Sequence, residues 1–198
     1  IQVVEETSEY DIRGRWDDAV ASSPLSRAIT GIIGSEAAVG YYDDISPDGR
    51  GLLTLETVKN DKDHFYKVVV VPENLTATFN ERIAYAQFTT EGDHGQNQII
   101  FDNTGIQFDN LGGKLGEGEF SLEGKINTTD SVHGTFQLDW DGPAEDESLF
   151  AVLPSVVGDT LVAMEISEGS SQVQHGEVVL VGPSWGALEV DFKGEIQL

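Results

Sequence analysis

The sequence predicts an all-β chain with a single domain over residues 1–198. The expected fold is an antiparallel β-sandwich, jelly-roll-like or wide and barrel-like, with one short amphipathic helix near residues 24–33. Three observations lead there. Apolar and polar residues alternate with a period of two over long stretches, most regularly at 116–126, 132–140 and 188–198, which marks strands with one buried and one wet face. Turn-forming sequences divide these stretches, among them Ser46-Pro-Asp-Gly49, Asn103-Thr-Gly105 and Asn127-Thr-Thr-Asp-Ser131. The segment from Ser23 to Gly34 carries a helical period instead.

Taken in order, Ile1, Val3 and Val4 offer a short strand ahead of an acidic run at 5–11. The helix follows, with Ser23 as N-cap, Pro24 at the first helical position, Leu25, Ala28, Ile29, Ile32 and Ile33 on one stripe, and Gly34 at its end. Strands are expected near 37–42, 51–58, 64–71, 74–79, 82–90, 97–102 and 105–109, with a turn at Val71-Pro-Glu-Asn74. Asn103-Thr-Gly105 reads as a three-residue hairpin loop with glycine placed for positive φ, joining 99–101 to 106–108.

In the central hairpin Phe120, Leu122, Ile126, Val132, Phe136, Leu138 and Trp140 share the inward phase. A turn at 127–131 pairs residues whose numbers sum to 258, which sets Gly118 opposite Trp140, where the indole can cover a backbone without a side chain. The same register sets Glu119 against Asp139 and Glu117 against Asp141 on the wet face, an unfavourable opposition of like charges. Beyond an acidic loop at 142–148, strands are expected near 148–153, 159–167, 172–181 and 188–198. About thirteen strands in one domain exceed an eight-stranded barrel and favour two layers.

Composition excludes some partners. With 35 Asp and Glu against 11 Lys and Arg the formal charge is −24, so a nucleic-acid backbone or an anionic membrane surface would be repelled. No apolar run approaches the ~20 residues that cross a bilayer, so membrane insertion by a helix is not expected. The chain has no cysteine, and its histidines, His64, His94, His133 and His175, stand singly without zinc-site spacing. The acidic composition and a chain opening on Ile1 rather than methionine lead to the expectation of a secreted or cell-surface protein. Asn74-Leu-Thr76 and Asn127-Thr-Thr129 are glycosylation sequons at expected turns.

Three short motifs resemble those of known families. Tyr10-Asp-Ile-Arg-Gly-Arg-Trp16 resembles the opening of lipocalins, where Gly-x-Trp closes one end of an eight-stranded barrel. That resemblance implies a carrier of a small apolar ligand. Gly182-Pro-Ser184-Trp-Gly186 is similar to the nucleophile elbow of α/β-hydrolases, which needs a parallel sheet, a helix after the serine and a later histidine. No histidine follows His175 and the remaining residues alternate as a strand, so Ser184 is not expected to be a nucleophile. Glu189-Val-Asp191 resembles the acidic strand of sandwich-type glycosidases, which implies glycan binding or cleavage by a carboxylate pair.

The candidate cofactor is calcium, which takes six to eight oxygens and would turn the opposed Glu117, Glu119, Asp139 and Asp141 from a repulsion into a site. Asp43, Asp44 and Asp48 form a second acidic cluster, and Asn60, Asp61 and Asp63 a third. The function expected is that of a non-enzymatic extracellular or cell-surface β-module in a structural or adhesive role. Terminal strands at 1–7 and 187–198 could pair with a second copy, or the module could meet another surface protein or a glycan. A lipocalin-like carrier and a glycan-binding or glycan-cleaving sandwich are the alternatives.

Overall fold

The computed structural model describes residues 10–23, 47–59, 63–79, 84–89, 97–143, 169–183, 187 and 189–197. They form ten strands: β1 Tyr10–Val20, β2 Asp48–Lys59, β3 His64–Phe79, β4 Ala84–Thr89, β5 Gln98–Asp102, β6 Gly105–Leu115, β7 Gly118–Asn127, β8 Val132–Pro143, β9 Ser170–Gly182 and β10 Glu189–Gln197. The expected helix near 24–33, the terminal strand at 1–7 and the strands near 37–42, 148–153 and 159–167 lie outside the described residues.

All ten strands belong to one antiparallel sheet in which neighbours in space are neighbours in sequence except around β4 and β5. Strands β4 and β5 share a single place. Both pair with β3, at Asn74–Thr89 through Phe79–Ala84 for β4 and at Lys67–Asp102 through Val70–Ile99 for β5, and both pair with β6 on the other side. They therefore run end to end as one interrupted strand. Pro72, which has no N–H to give a ladder, lies on β3 opposite the interruption and is buried there.

The described strands thus form a single open sheet, not the two packed layers of a sandwich, and its order is that of an up-and-down meander. The expected turn at 71–74 is instead the interior of one long strand, β3, because the chain passes it with a bulge between the pairs Arg50–Asn74 and Gly51–Pro72. Strand β1 lies where no strand was expected, between the end of the acidic run at 5–11 and the expected helix, and β6 continues past Asp109 to Leu115.

One face of the sheet is apolar in every layer of the register. Across it run Trp16, Leu53 and Val70 in one row, Leu55, Val68 and Phe101 in the next, and further along Gly124, Phe136, Val178 and Phe192. The buried residues Ala77, Ile99, Leu111, Leu115, Trp140 and Val173 form the main cluster, and Leu53, Leu55 and Val68 another. A third joins Ile126, Val132 and Phe136, with Phe108 and Phe136 meeting edge to face at 5.5 Å. Full burial of side chains such as Leu111 and Val173 is worth about 1.5–3 kcal/mol each, which is what orients the sheet.

The central hairpin forms in the expected phase but with a different register. Its pairs sum to 260, so Phe120 faces Trp140, Leu122 faces Leu138 and Ile126 faces Gly134. This register sets glycine against the large side chains of Ile126 and Phe136, and Asn127 closes the turn by accepting the amide of Thr129 at 2.9 Å. The indole nevertheless covers Gly118, from the diagonal position: a Cβ on Gly118 would stand 2.4 Å from the ring, and one on Gly142 would stand 2.6 Å from it. Only glycine fits beneath Trp140. The second hairpin has a two-residue loop, since Asp102 pairs with Gly105, whose φ of 147° is the positive value expected of it.

Among the described residues three other than glycine have positive φ, and each lies inside a register shift: Asp18 (64°), Asn110 (47°) and His175 (51°). At each bulge two residues face one on the neighbouring strand, which bends the strand and increases its twist.

Candidate functional site

The four carboxylates expected to hold calcium do not form a set. Glu117 lies in the turn between β6 and β7, outside the strand register. Glu119 does face Asp141, but Lys114 stands beside it on β6, and Asp141 accepts a hydrogen bond from Gln172 Nε2 at 2.7 Å. Asp139 faces Ser121 rather than Glu119, and its Oδ1 accepts the backbone N–H of His175 at 2.7 Å. Asp139 is the residue that stands alone opposite the bulge of Gln174 and His175. Its carboxylate supplies the acceptor that the displaced amide needs. Among the described residues no three His, Asp or Glu side chains are arranged to hold a metal ion. Asp43, Asp44 and Asp61 lie outside the described residues, as does Ser184.

A second polar cluster gathers where β2, β3 and β5 end. Asp102 Oδ1 accepts from the amide and the hydroxyl of Thr104, at 2.7 and 2.6 Å, and from the amide of Gly105 at 3.2 Å. Burial pushes the Asp102 carboxyl up, but the Thr104 hydrogen bonds, the nearby Lys125 and the Gly105 amide outweigh it and hold it below the usual carboxylate value. Burial, with the charge of Asp102 behind it, raises the Tyr66 phenol. Asn103 extends the ladder with its side chain, accepting from the Tyr66 amide at 2.8 Å and donating to the His64 carbonyl at 2.7 Å. Thr57 Oγ1 and His64 Nε2 lie 3.0 Å apart, with the Tyr66 ring 6.1 Å from that of His64. Every one of these contacts closes a turn or a strand end.

The remaining chemistry lies at the edges of the sheet. Among the described residues β1 has only β2 as a neighbour and β10 only β9. On the wet face β1 presents Asp11, Arg13, Arg15 and Asp17, with Arg13 at 3.3 Å from both Asp11 and Glu56 and Arg15 at 3.1 Å from Asp17. Arg50 reaches across the β1 bulge to the Asp18 carboxylate at 2.6 and 2.8 Å, which raises the guanidinium further. On the apolar face Ile12 is half exposed, while Trp16 folds its ring back over Gly14. Strand β10 presents Glu189, Asp191, Lys193 and Glu195, all exposed. Sequence reasoning missed β1. Its signal was present in the alternation of Asp11, Arg13, Arg15 and Asp17, set against Ile12, Gly14 and Trp16.

The Gly-x-Trp of the lipocalin resemblance thus lies within β1, the outermost of the described strands on one side of an open sheet, not at the mouth of an eight-stranded barrel. Glu189 and Asp191 share the wet face of β10. The sequon at Asn74 lies inside β3 and that at Asn127 ends β7, both exposed. Comparison with family models, with curated proteins and with solved structures gives no match.

Proposed function

We propose that the chain is a non-enzymatic β-module, secreted or at the cell surface, that serves a structural or adhesive role by pairing its sheet edges with strands of other chains. The observation that carries this reading is the open meander, in which β1 and β10 each have one neighbour among the described residues. A strand with one neighbour leaves alternate N–H and C=O groups for an added strand, and the apolar face continues to the edge at Ile12. The high negative charge suppresses unspecific aggregation while leaving directed pairing open.

The test is Ile12→Lys, followed by light scattering and electron microscopy over a range of protein concentration. An inward-pointing charge on an edge strand blocks strand addition, yet Ile12 is 50% exposed, so the fold loses little. The wild type is expected to associate and I12K to remain monomeric at an unchanged Tm. A wild type that stays monomeric at every concentration overturns the reading.

A second reading, a carrier of a small apolar ligand, is favoured by one observation. Trp140 Nε1 and Ser171 Oγ are buried on the apolar face without a hydrogen-bond partner among the described residues, and buried polar groups ordinarily have one. A fatty acid would bring both an apolar body and an acceptor. A shift in tryptophan emission on titrating it, absent in Trp140→Phe, would favour this reading.

A further inference from the structure

We infer that β10 of one copy adds beside β1 of the next, in parallel, with Arg13 beside Glu189, Arg15 beside Asp191 and Asp17 beside Lys193. This rests on the strand-pairing reading above and names its two edges, its direction and its register. The direction follows from the topology. With β4 and β5 sharing one place, the antiparallel sheet has an odd number of places, so β1 and β10 run the same way. Two copies set side by side with their apolar faces on the same side therefore meet β10 to β1 in parallel.

The register follows from charge. On the wet faces the row Arg13, Arg15, Asp17 meets the row Glu189, Asp191, Lys193 with an opposite charge at every position. On the apolar faces the same register brings Trp16 beside Phe192. A slip of two residues one way sets Asp11 on Glu189 and Arg15 on Lys193, and a slip the other way sets Asp17 on Asp191. Centred pairings of like edges match less well, because each includes like charges. Strand β1 against itself opposes Arg13 with Arg13 between two Asp11–Arg15 pairs, Arg15 with Arg15 between two Arg13–Asp17 pairs, or Arg13 with Arg15 with no opposite pair. Strand β10 against itself opposes Asp191 with Asp191 between two Glu189–Lys193 pairs, Glu189 with Glu195 around two Asp191–Lys193 pairs, or Lys193 with Lys193 with no opposite pair. Like charges directly opposed are unfavourable.

Each copy carries a formal charge of −24, so a contact between copies must be locally attractive. The cations of β1 are available for this, because their present partners are exposed ion pairs, Arg13 at 68% and Arg15 at 66% side-chain exposure, which hold them weakly. At about 0.15 M salt the Debye length is about 8 Å, so the repulsion of whole copies is screened while charges on strands about 5 Å apart still meet. A contact that uses different edges on the two sides leaves an unused edge on each outer copy, and so continues into a filament or closes as a ring.

The chain has no cysteine, so introduced thiols report the contact alone. Arg15→Cys and Asp191→Cys are prepared as separate variants, mixed in equal amounts under mild oxidation at about 0.15 M salt, and resolved by non-reducing electrophoresis and mass spectrometry. Neighbouring strands bring Cα atoms within the 4.4–6.8 Å that a disulfide needs. The mixed dimer is expected several-fold above either homodimer, and above the product of Arg15→Cys with Lys193→Cys, which tests the slipped register. A predominant Arg15→Cys homodimer, with light scattering still showing association, overturns this contact and leaves strand pairing standing. An internal disulfide in a monomeric Arg15→Cys, Asp191→Cys double variant overturns it in favour of closure within one chain. Monomers throughout, with no cross-link, overturn both.

Discussion

Asp139 and His175 are joined across β8 and β9 by a hydrogen bond of 2.7 Å from the His175 backbone amide to the Asp139 carboxylate. The bond sits where two residues of β9 face one of β8, and His175 takes a φ of 51°. An acidic side chain on a wet strand face reads as a solvated charge or a metal ligand. Here it satisfies an amide that the ladder has displaced.

That role sets the first prediction. Asp139→Ala lowers stability by about 1 kcal/mol, the worth of an exposed charge-assisted hydrogen bond. Asp139→Asn keeps an acceptor and loses less than half as much. Urea denaturation of the three proteins checks this.

Trp140 gives the second. A methyl group at Gly118 would stand 2.4 Å from the indole, so Gly118→Ala costs about 1–3 kcal/mol through forced displacement of the ring. Gly112→Ala on the adjoining strand meets nothing nearer than 3.7 Å and changes stability by no more than about 0.5 kcal/mol. Thermal melts of the two variants, which carry the same added methyl group, separate the effect of place from that of composition.

Asp102 gives the third. Its pKa is depressed in the folded protein, so its contribution is fully present above the ordinary carboxylate pKa and is lost as pH falls through the lower folded value. Asp102→Asn is therefore expected to be less stable than wild type at pH 7, with the gap narrowing below about pH 4 as the wild-type carboxylate takes up its proton. Urea midpoints at several pH values measure it. A gap that stays constant with pH would show that the Thr104 hydrogen bonds do not distinguish carboxylate from amide.

How much of this was legible in the sequence varies by level. The face of each residue in β7 and β8 was, because alternation with period two assigns inside and outside without reference to any partner. The register was not. A slip of two residues leaves every side chain on its own face, so the pattern cannot distinguish pairs that sum to 258 from pairs that sum to 260. What chose between them was the fit of Gly134 against Ile126 and Gly124 against Phe136, together with the Asn127 turn.

Bulges hid the rest. Asn110 with positive φ ends a strand in any local reading, yet β6 continues past it because β7 holds both sides of the break. Pro72 and Asn74 read as a turn, yet β2 pairs on both sides of them. Local propensity prices a residue against water, whereas a strand already held by its neighbours prices it against the loss of the whole ladder.

The sequence by itself determined that the chain is β-structured, which face of its long strands is apolar, and that its surface is strongly acidic, because each depends only on residue order and type. The tertiary structure alone decided that the described strands form one open sheet, that Asp139 serves a bulge, and that Arg13 and Arg15 stand on one outer strand of the described sheet with Glu189 and Asp191 on the other. These depend on which strands become neighbours, and contacts between residues distant in sequence are set by the packing of the whole apolar face.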